Sequence, residues 1–403
     1  MQLPACSRRH TRHSRGRSRG LSMRLSLLSA AVVAALVGYG STIALVLAAA
    51  AAVGASEAQT ASWVLALCLG KAMGSAFLSW QSRVPVVLAW STPGAALVAA
   101  SEGVTMAEAV GAFVLAGGLI ALTGALRPLG RAVALIPDGI AAGMLAGVLL
   151  PFCLKLAGAA EALPLLVLPA IAVFALVRLW NPAFAVLAAL AGGSALAFAG
   201  EAALPAIPLA LPTLALIAPE FDAAALIGLG LPLYFVTMAS QNLPGFAVLR
   251  AAGYEPPVRS ALTVTGGLSA LIAPCGGHTI SMAAITAAIC LGDEVHPDRG
   301  RRWIVGLVYA GVWLALGLFG PAILACIAAL PPALVAALVG LALLGPLTGA
   351  MTAAFAAPEQ RFAAVVTLAV TGSGVAILGI GGAFWGLAAG LAVHAMERAA
   401  RRA

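Results

Sequence analysis

From Leu25 to the C-terminus the chain is a succession of apolar runs about twenty residues long, separated by short polar gaps. Each run is long enough to cross a hydrocarbon layer of ~30 Å as a helix. A transmembrane barrel would need alternating strands of about ten residues, whereas these runs are unbroken and rich in Ala, Leu and Gly, the small residues that let helices approach closely. The pattern predicts an all-α membrane protein with about fourteen spans, near 27–53, 58–80, 84–100, 106–126, 131–157, 163–180, 182–200, 222–252, 257–274, 277–292, 302–330, 332–356, 361–381 and 383–397. Two of these, 84–100 and 277–292, are short and broken by Pro or Gly at corresponding places in the two halves. That is the signature of discontinuous helices in an inverted-repeat transporter.

Composition agrees with the pattern, because a chain of 403 residues that is 62% hydrophobic and 9% charged cannot fold with its surface in water. The net charge of +8 is not a nucleic-acid signal, since the cations lie between spans. Arg8, Arg9, Arg12, Arg15, Arg17, Arg19 and Arg24 precede the first span, and Arg83, Arg127, Arg131, Arg178, Arg250, Arg259 and Arg299 fall in alternate connections. The other connections carry Glu57, Glu102, Glu161, Glu201, Glu220 and Asp222, so the positive-inside pattern places both termini in the cytoplasm of a bacterial inner membrane. Residues 1–24 read as a disordered basic tail, with Met23 as an alternative start, and 25–403 as one polytopic transporter domain in the lipid bilayer. The six cysteines are scattered singly, the histidines are unclustered, and no phosphate loop or dinucleotide fingerprint is present. The sequence therefore implies no metal, no cofactor and no enzyme chemistry, and any driving force comes from gradients.

Candidate chemistry sits at the two breaks. In VPVVLAWSTPGAALVAAS, Val86–Ala89 can run extended, and Ser91, Thr92 and Pro93 supply a cap and a first-turn proline, with Gly94 following. In IAPCGGHTISMAAIT, Pro274, Gly276 and Gly277 break one segment, and a new helix is expected near His278 and Thr279. Two helix N-termini meeting inside the membrane would suit an anionic ligand; ordinary kinks filled by neighbouring side chains are the alternative. Between the halves, Ser240, Gln241 and Asn242 form a polar cluster in mid-helix, read as ligand-facing or as interhelical packing bonds. His278 is either a titrating partner for an anion or a neutral ring bonded to a backbone carbonyl. Lys71 lies in mid-span, attracting an anion or snorkelling to the surface. Tyr39 offers a hydroxyl from the first span, and Trp90, Phe235, Met238 and Phe246 are candidate apolar walls.

The segments SRVPVVLAWSTPGAALVAAS (82–101), IAAGMLAGVLLPFCLK (140–155), LIGLGLPLYFVTMASQNLPGFAVLRAAGYEPPVR (226–259) and GGHTISMAAITAAIC (276–290) are similar to the benzoate:proton symporter (BenE) family. The resemblance implies a 7+7 inverted repeat shared with nucleobase and sulfate-type transporters. Its core would be about 25–126 and 222–330, its gate about 131–200 and 332–397, and a homodimer would form through the gate. In nucleobase relatives, acids on spans ten and eight contact substrate; aligned with them, this chain has His278 at the first position and Gln241 or Ser240 at the second. Loss of both carboxylates suits a substrate that is itself a carboxylate, because like charges repel. The implied activity is uptake of benzoate or a similar aromatic monocarboxylate with a proton, His278 being the leading proton carrier. Another organic acid, a nucleobase or a passive anion channel of the same fold is the alternative.

Overall fold

The computed structural model describes residues 11–126, 137–200, 211–293 and 295–401. The first ten residues, Arg127, Arg131, Glu201 and Arg402 lie outside them, as does the start of the span expected near 131–157. Eight helices among the described residues are long and apolar enough to cross a membrane. The first group of elements is α1 (Thr11–Ala52), α2 (Glu57–Ser82), β1 (Leu88–Trp90), α3 (Thr92–Ala99) and α4 (Met106–Ala125). Next come α5 (Asp138–Ala162), α6 (Pro164–Trp180) and α7 (Ala185–Ala199). The second half repeats this order with α8 (Ala223–Ala251), α9 (Val258–Ile272), β2 (Ile280–Met282), α10 (Ile285–Leu291), α11 (Ile304–Leu318) and α12 (Gly320–Ala328). It ends with α13 (Pro332–Ala354), α14 (Arg361–Gly372) and α15 (Gly382–Ala400).

Packing follows the same repeat. Helix α2 lies on α11 as α9 lies on α4, α5 lies on α13, and β1 pairs antiparallel with β2 through Leu88↔Met282, Ala89↔Ser281 and Trp90↔Ile280. Small residues set the spacing: a Cβ on Gly266 would stand 2.2 Å from the Ala121 backbone nitrogen, so α9 and α4 touch backbone to backbone.

Two short strands in a membrane interior create backbone groups with no helix to satisfy them, and each one left unpaired costs about 1–3 kcal/mol. Side-chain hydroxyls and one amide meet that need. Ser75 Oγ on α2 accepts from Leu88 N–H at 3.0 Å, and Ser269 Oγ on α9, its counterpart in the repeat, accepts from Ile280 N–H at 2.8 Å. Ser79 Oγ bonds both backbone groups of Val86, and Tyr309 Oη donates to Leu88 O at 2.9 Å. Asn242 Oδ1 accepts from Met282 N–H at 2.9 Å. Asn242, expected to face a ligand, is fully buried and holds β2 against α8.

Several other expectations are corrected. The second broken helix starts at Ile285, because Ile280–Met282 extends to pair with β1 before the chain can coil. The span drawn at 302–330 is two helices, divided where Gly320 and Pro321 follow Phe319. The span drawn at 361–381 ends at Gly372, and a turn closed by Ile377 and Ile380 precedes α15. The first membrane-length apolar span begins at Ser26 and runs to Ala52.

Candidate functional site

The strand crossing holds the polar groups together. Helix α3 opens at its centre: Ser91 caps it, its Oγ accepting from Gly94 N–H at 3.1 Å, and Pro93 occupies the first turn. A Cβ on Gly94 would lie 2.6 Å from Leu233 Cδ1 and 2.8 Å from Ser91 Oγ, so a larger residue there would displace one of those side chains. The backbone N–H of Ser91 donates to Thr279 O at 2.9 Å, which fixes the second break directly against the first.

Thr237 of α8 completes this contact and is a residue the sequence did not single out. Its Oγ1 donates to Ser91 Oγ at 3.0 Å and meets Thr279 Oγ1 at 2.8 Å. Ser91 Oγ therefore accepts twice, from Gly94 and Thr237. Immediately beyond Thr237, α8 widens into a π turn over Met238–Asn242, one of two such turns in this helix. Turns of this kind are frequent at functional positions. Ser240 and Gln241 in that turn are half-buried and make no side-chain hydrogen bond among the described residues. Thr92 is likewise half-buried, whereas Gly277, His278 and Thr279 are enclosed.

His278 is fully buried between Trp63 and Phe113, whose ring centroids lie 5.8 and 6.3 Å from the imidazole. Trp63 Nε1–H donates to His278 Nδ1 at 3.0 Å, and Nε2 faces Ser91 O at 3.2 Å. An indole N–H can only donate, so Nδ1 is the acceptor and Nε2 carries the hydrogen given to Ser91 O. Both nitrogens of the neutral ring are thus used, and the geometry follows the carbonyl-bonded reading of His278, with neither nitrogen open to an anion.

Lys71 does not snorkel. It is 1% exposed, and its Nζ stands 3.0 Å from the centroid of the Trp313 ring and 4.0 Å from that of Trp90. Tyr39 closes the third side, 5.7 Å from Trp90 and 5.8 Å from Trp313. The attraction of an ammonium to a desolvated ring face is about 2 kcal/mol, short of the several kcal/mol needed to bury an ion. Trp90 is anchored through Nε1–H to Thr42 Oγ1 at 2.7 Å. By contrast, Tyr39 Oη is buried without a hydrogen-bond partner. Of the candidate walls, Met238 and Phe246 are buried, and Phe235 is half-buried.

A cavity of about 310 Å³ lies between α3, α5, α8, α14 and α15. Leu97, Leu229, Glu102 and Lys155 are among its lining residues. No group of three or more His, Cys, Asp or Glu residues able to hold a metal occurs among the described residues.

Comparison with known proteins gives the family and the fold. Residues 22–396 match the family model described as Benzoate membrane transport protein. The chain is 41% identical over 367 residues to the Inner membrane protein YdcO of Escherichia coli, covering 90% of this chain and 93% of that one. It is 34% identical over 372 residues to the Benzoate membrane transport protein of Acinetobacter baylyi, covering 92% and 94%. Among solved structures, the transmembrane domain of the cyanobacterial bicarbonate transporter BicA superposes with a TM-score of 0.58 at 19% identity, over 93% of this chain and 96% of that one. SLC26A9 superposes with a TM-score of 0.61 at 15% identity, over 91% and 64%. These likenesses establish the 7+7 inverted-repeat transporter fold. The chain is a multi-pass membrane transporter and not an enzyme. It belongs to the BenE family of benzoate membrane transport proteins.

Proposed function

We propose that this protein takes up benzoate or a similar aromatic monocarboxylate, together with a proton, across the bacterial inner membrane, with both termini in the cytoplasm. The observation that carries the reading is the absence of carboxylates from the site. Among the described residues, the Asp and Glu side chains of α1–α4 and α8–α12 and their connections lie at helix ends or in loops, whereas Ser91, Thr237, Thr279 and Lys71 lie at the strand crossing. Hydroxyl donors, a helix N-terminus and a buried cation suit a carboxylate, and the nearby aromatic rings suit its aryl group. The Acinetobacter relative, named for benzoate transport, supports the same substrate. In this mechanism α1–α4 and α8–α12 form a core that carries the ligand past a gate made of α5–α7 and α13–α15.

Calorimetry of benzoate with the purified protein at pH 5.5 and 7.5, with uracil and acetate as controls, tests the substrate. Benzoate binding that strengthens at the lower pH is expected, and binding of uracil instead overturns the assignment. Benzoate flux in proteoliposomes should follow an imposed pH gradient; flux indifferent to the gradient would leave a passive carrier.

A further inference from the structure

The aromatic chamber around Lys71 gathers side chains from distant parts of the chain. Its members come from four elements, Tyr39 on α1, Lys71 on α2, Trp90 on β1 and Trp313 on α11, and each is at most 3% exposed. Among the described residues, the ion pairs are Arg301 with Asp298 and Arg302 with Asp293, both remote from the chamber, so Lys71 has no anionic partner.

The titratable groups near the ammonium are Tyr39, Cys68, Tyr309 and His278. On the other elements packed against α2, Arg259 begins α9, Cys275 lies in the turn after it and Cys326 lies on α12. None of these groups is a carboxylate, and Glu57 stands at the far end of α2 itself. Ring faces alone do not offset the burial of an ion. Two states are therefore balanced at this position: a neutral amine with no partner, and an ammonium with an anion beside it. A carboxylate that enters alone would meet a neutral amine, and a proton that enters alone would make an unpaired buried ion. Each favours the arrival of the other.

The chamber also holds one donor with nothing to bond. Tyr39 Oη is buried and unpartnered, and a carboxylate oxygen is able to accept from it. We propose that Lys71, enclosed by Tyr39, Trp90 and Trp313, takes up the transported proton and pairs as an ammonium with the carboxylate of the substrate. The step balances without a further reactant: amine, proton and carboxylate become an ammonium–carboxylate pair, and the reverse step releases all three on the other side. The core then moves as a neutral assembly. This assignment deepens the proton-coupled reading and rests on it.

The experiment measures protons taken up per benzoate bound, by calorimetry in buffers of different ionisation enthalpy near pH 8, for wild type, Lys71→Met and Lys71→Arg in detergent. Thermal unfolding of each variant is recorded alongside. Wild type is expected to take up close to one proton per benzoate. Lys71→Met should bind benzoate at least tenfold more weakly, with no proton uptake. Lys71→Arg keeps a positive charge that does not titrate in this range, so it should bind without proton uptake, exchange benzoate across proteoliposomes, and fail to accumulate it against a pH gradient. If Lys71→Met does not fold, the Arg variant decides the matter alone. Proton uptake persisting in either folded variant overturns the assignment to Lys71 while leaving symport intact. Absence of proton uptake in wild type overturns the symport reading and this assignment with it.

Discussion

Replacing His278 by Gln separates an anchor from a proton carrier. The imidazole is held by Trp63 Nε1–H at 3.0 Å on one nitrogen and by Ser91 O at 3.2 Å on the other. A glutamine amide offers one acceptor and one donor about as far apart as the two ring nitrogens, and it does not titrate. Alanine offers neither. His278→Ala leaves a buried indole N–H unsatisfied, a loss of about 1–3 kcal/mol, and opens a void whose cost by analogy with other large-to-small core changes is about 2–4 kcal/mol. The sum, about 3–7 kcal/mol, falls on the strand crossing itself. Gln should cost about 1 kcal/mol, one neutral hydrogen bond of imperfect geometry. Thermal unfolding in detergent and the proton-to-benzoate ratio in proteoliposomes are the two readouts. The Gln variant should fold and transport with the wild-type ratio, while the Ala variant loses transport together with a fall in unfolding temperature. A folded Gln variant that moves benzoate without protons would refute this account and make His278 the carrier.

Thr237→Val preserves shape but removes the hydroxyl that joins Ser91 at 3.0 Å to Thr279 at 2.8 Å. Benzoate binding should weaken by about 1–2 kcal/mol, roughly 5- to 30-fold in a calorimetric titration, and unchanged affinity would show that the three hydroxyls only pack. Gly245→Ala would put a Cβ 2.4 Å from Met282 Cβ, whereas Gly118→Ala meets nothing within 4 Å. The first should destabilise by about 1–3 kcal/mol and the second should be neutral or slightly stabilising; equal unfolding temperatures would deny the close approach of α8 to β2. Lys155→Glu reverses a charge at the cavity beside Leu97 and Leu229, so KM for benzoate should rise a few-fold at low ionic strength and recover in high salt with kcat unchanged. A salt-independent effect would place Lys155 outside the path of the anion.

What could be read from the sequence was local. Pro85, Pro93 and the Gly276–Gly277 pair mark two breaks because each acts on its own neighbours, and the helix start at Thr92 follows from a cap and a proline in adjacent positions. The second helix start was less legible. Its entering segment is held extended by β1, nearly two hundred residues earlier, and a short stretch cannot show its partner. The same limit explains Asn242 and Thr237. Asn242 was conspicuous as a mid-helix amide, yet its purpose depends on a backbone N–H of β2. Thr237 was inconspicuous because threonine inside a helix ordinarily bonds its own backbone, so nothing in the sequence separates it from Thr265, which does so at 2.8 Å. Lys71 was visible as an anomaly, but the rings that enclose it come from three other elements.

The buried polar groups of the core divide into two sets with different consequences. Ser75, Ser79, Ser269, Asn242 and His278 have their bonding capacity directed at backbone of the two breaks, and they hold irregular structure at a depth where water cannot. Tyr39 has a buried hydroxyl without a bonded partner and Lys71 a buried amine without an ionic one, while Ser240 and Gln241 stand half-buried in a helix with two π turns. Groups of the first kind lose stability when replaced. Groups of the second kind are already unsatisfied, so a conservative replacement removes a cost of the empty state and should leave the unfolding temperature level or raised while weakening binding. Tyr39→Phe is the cleanest instance, because it deletes one unpaired hydroxyl and nothing else. Reduced benzoate affinity without loss of stability would assign that hydroxyl to the ligand, and a destabilised protein with unchanged affinity would return Tyr39 to the packing of the core.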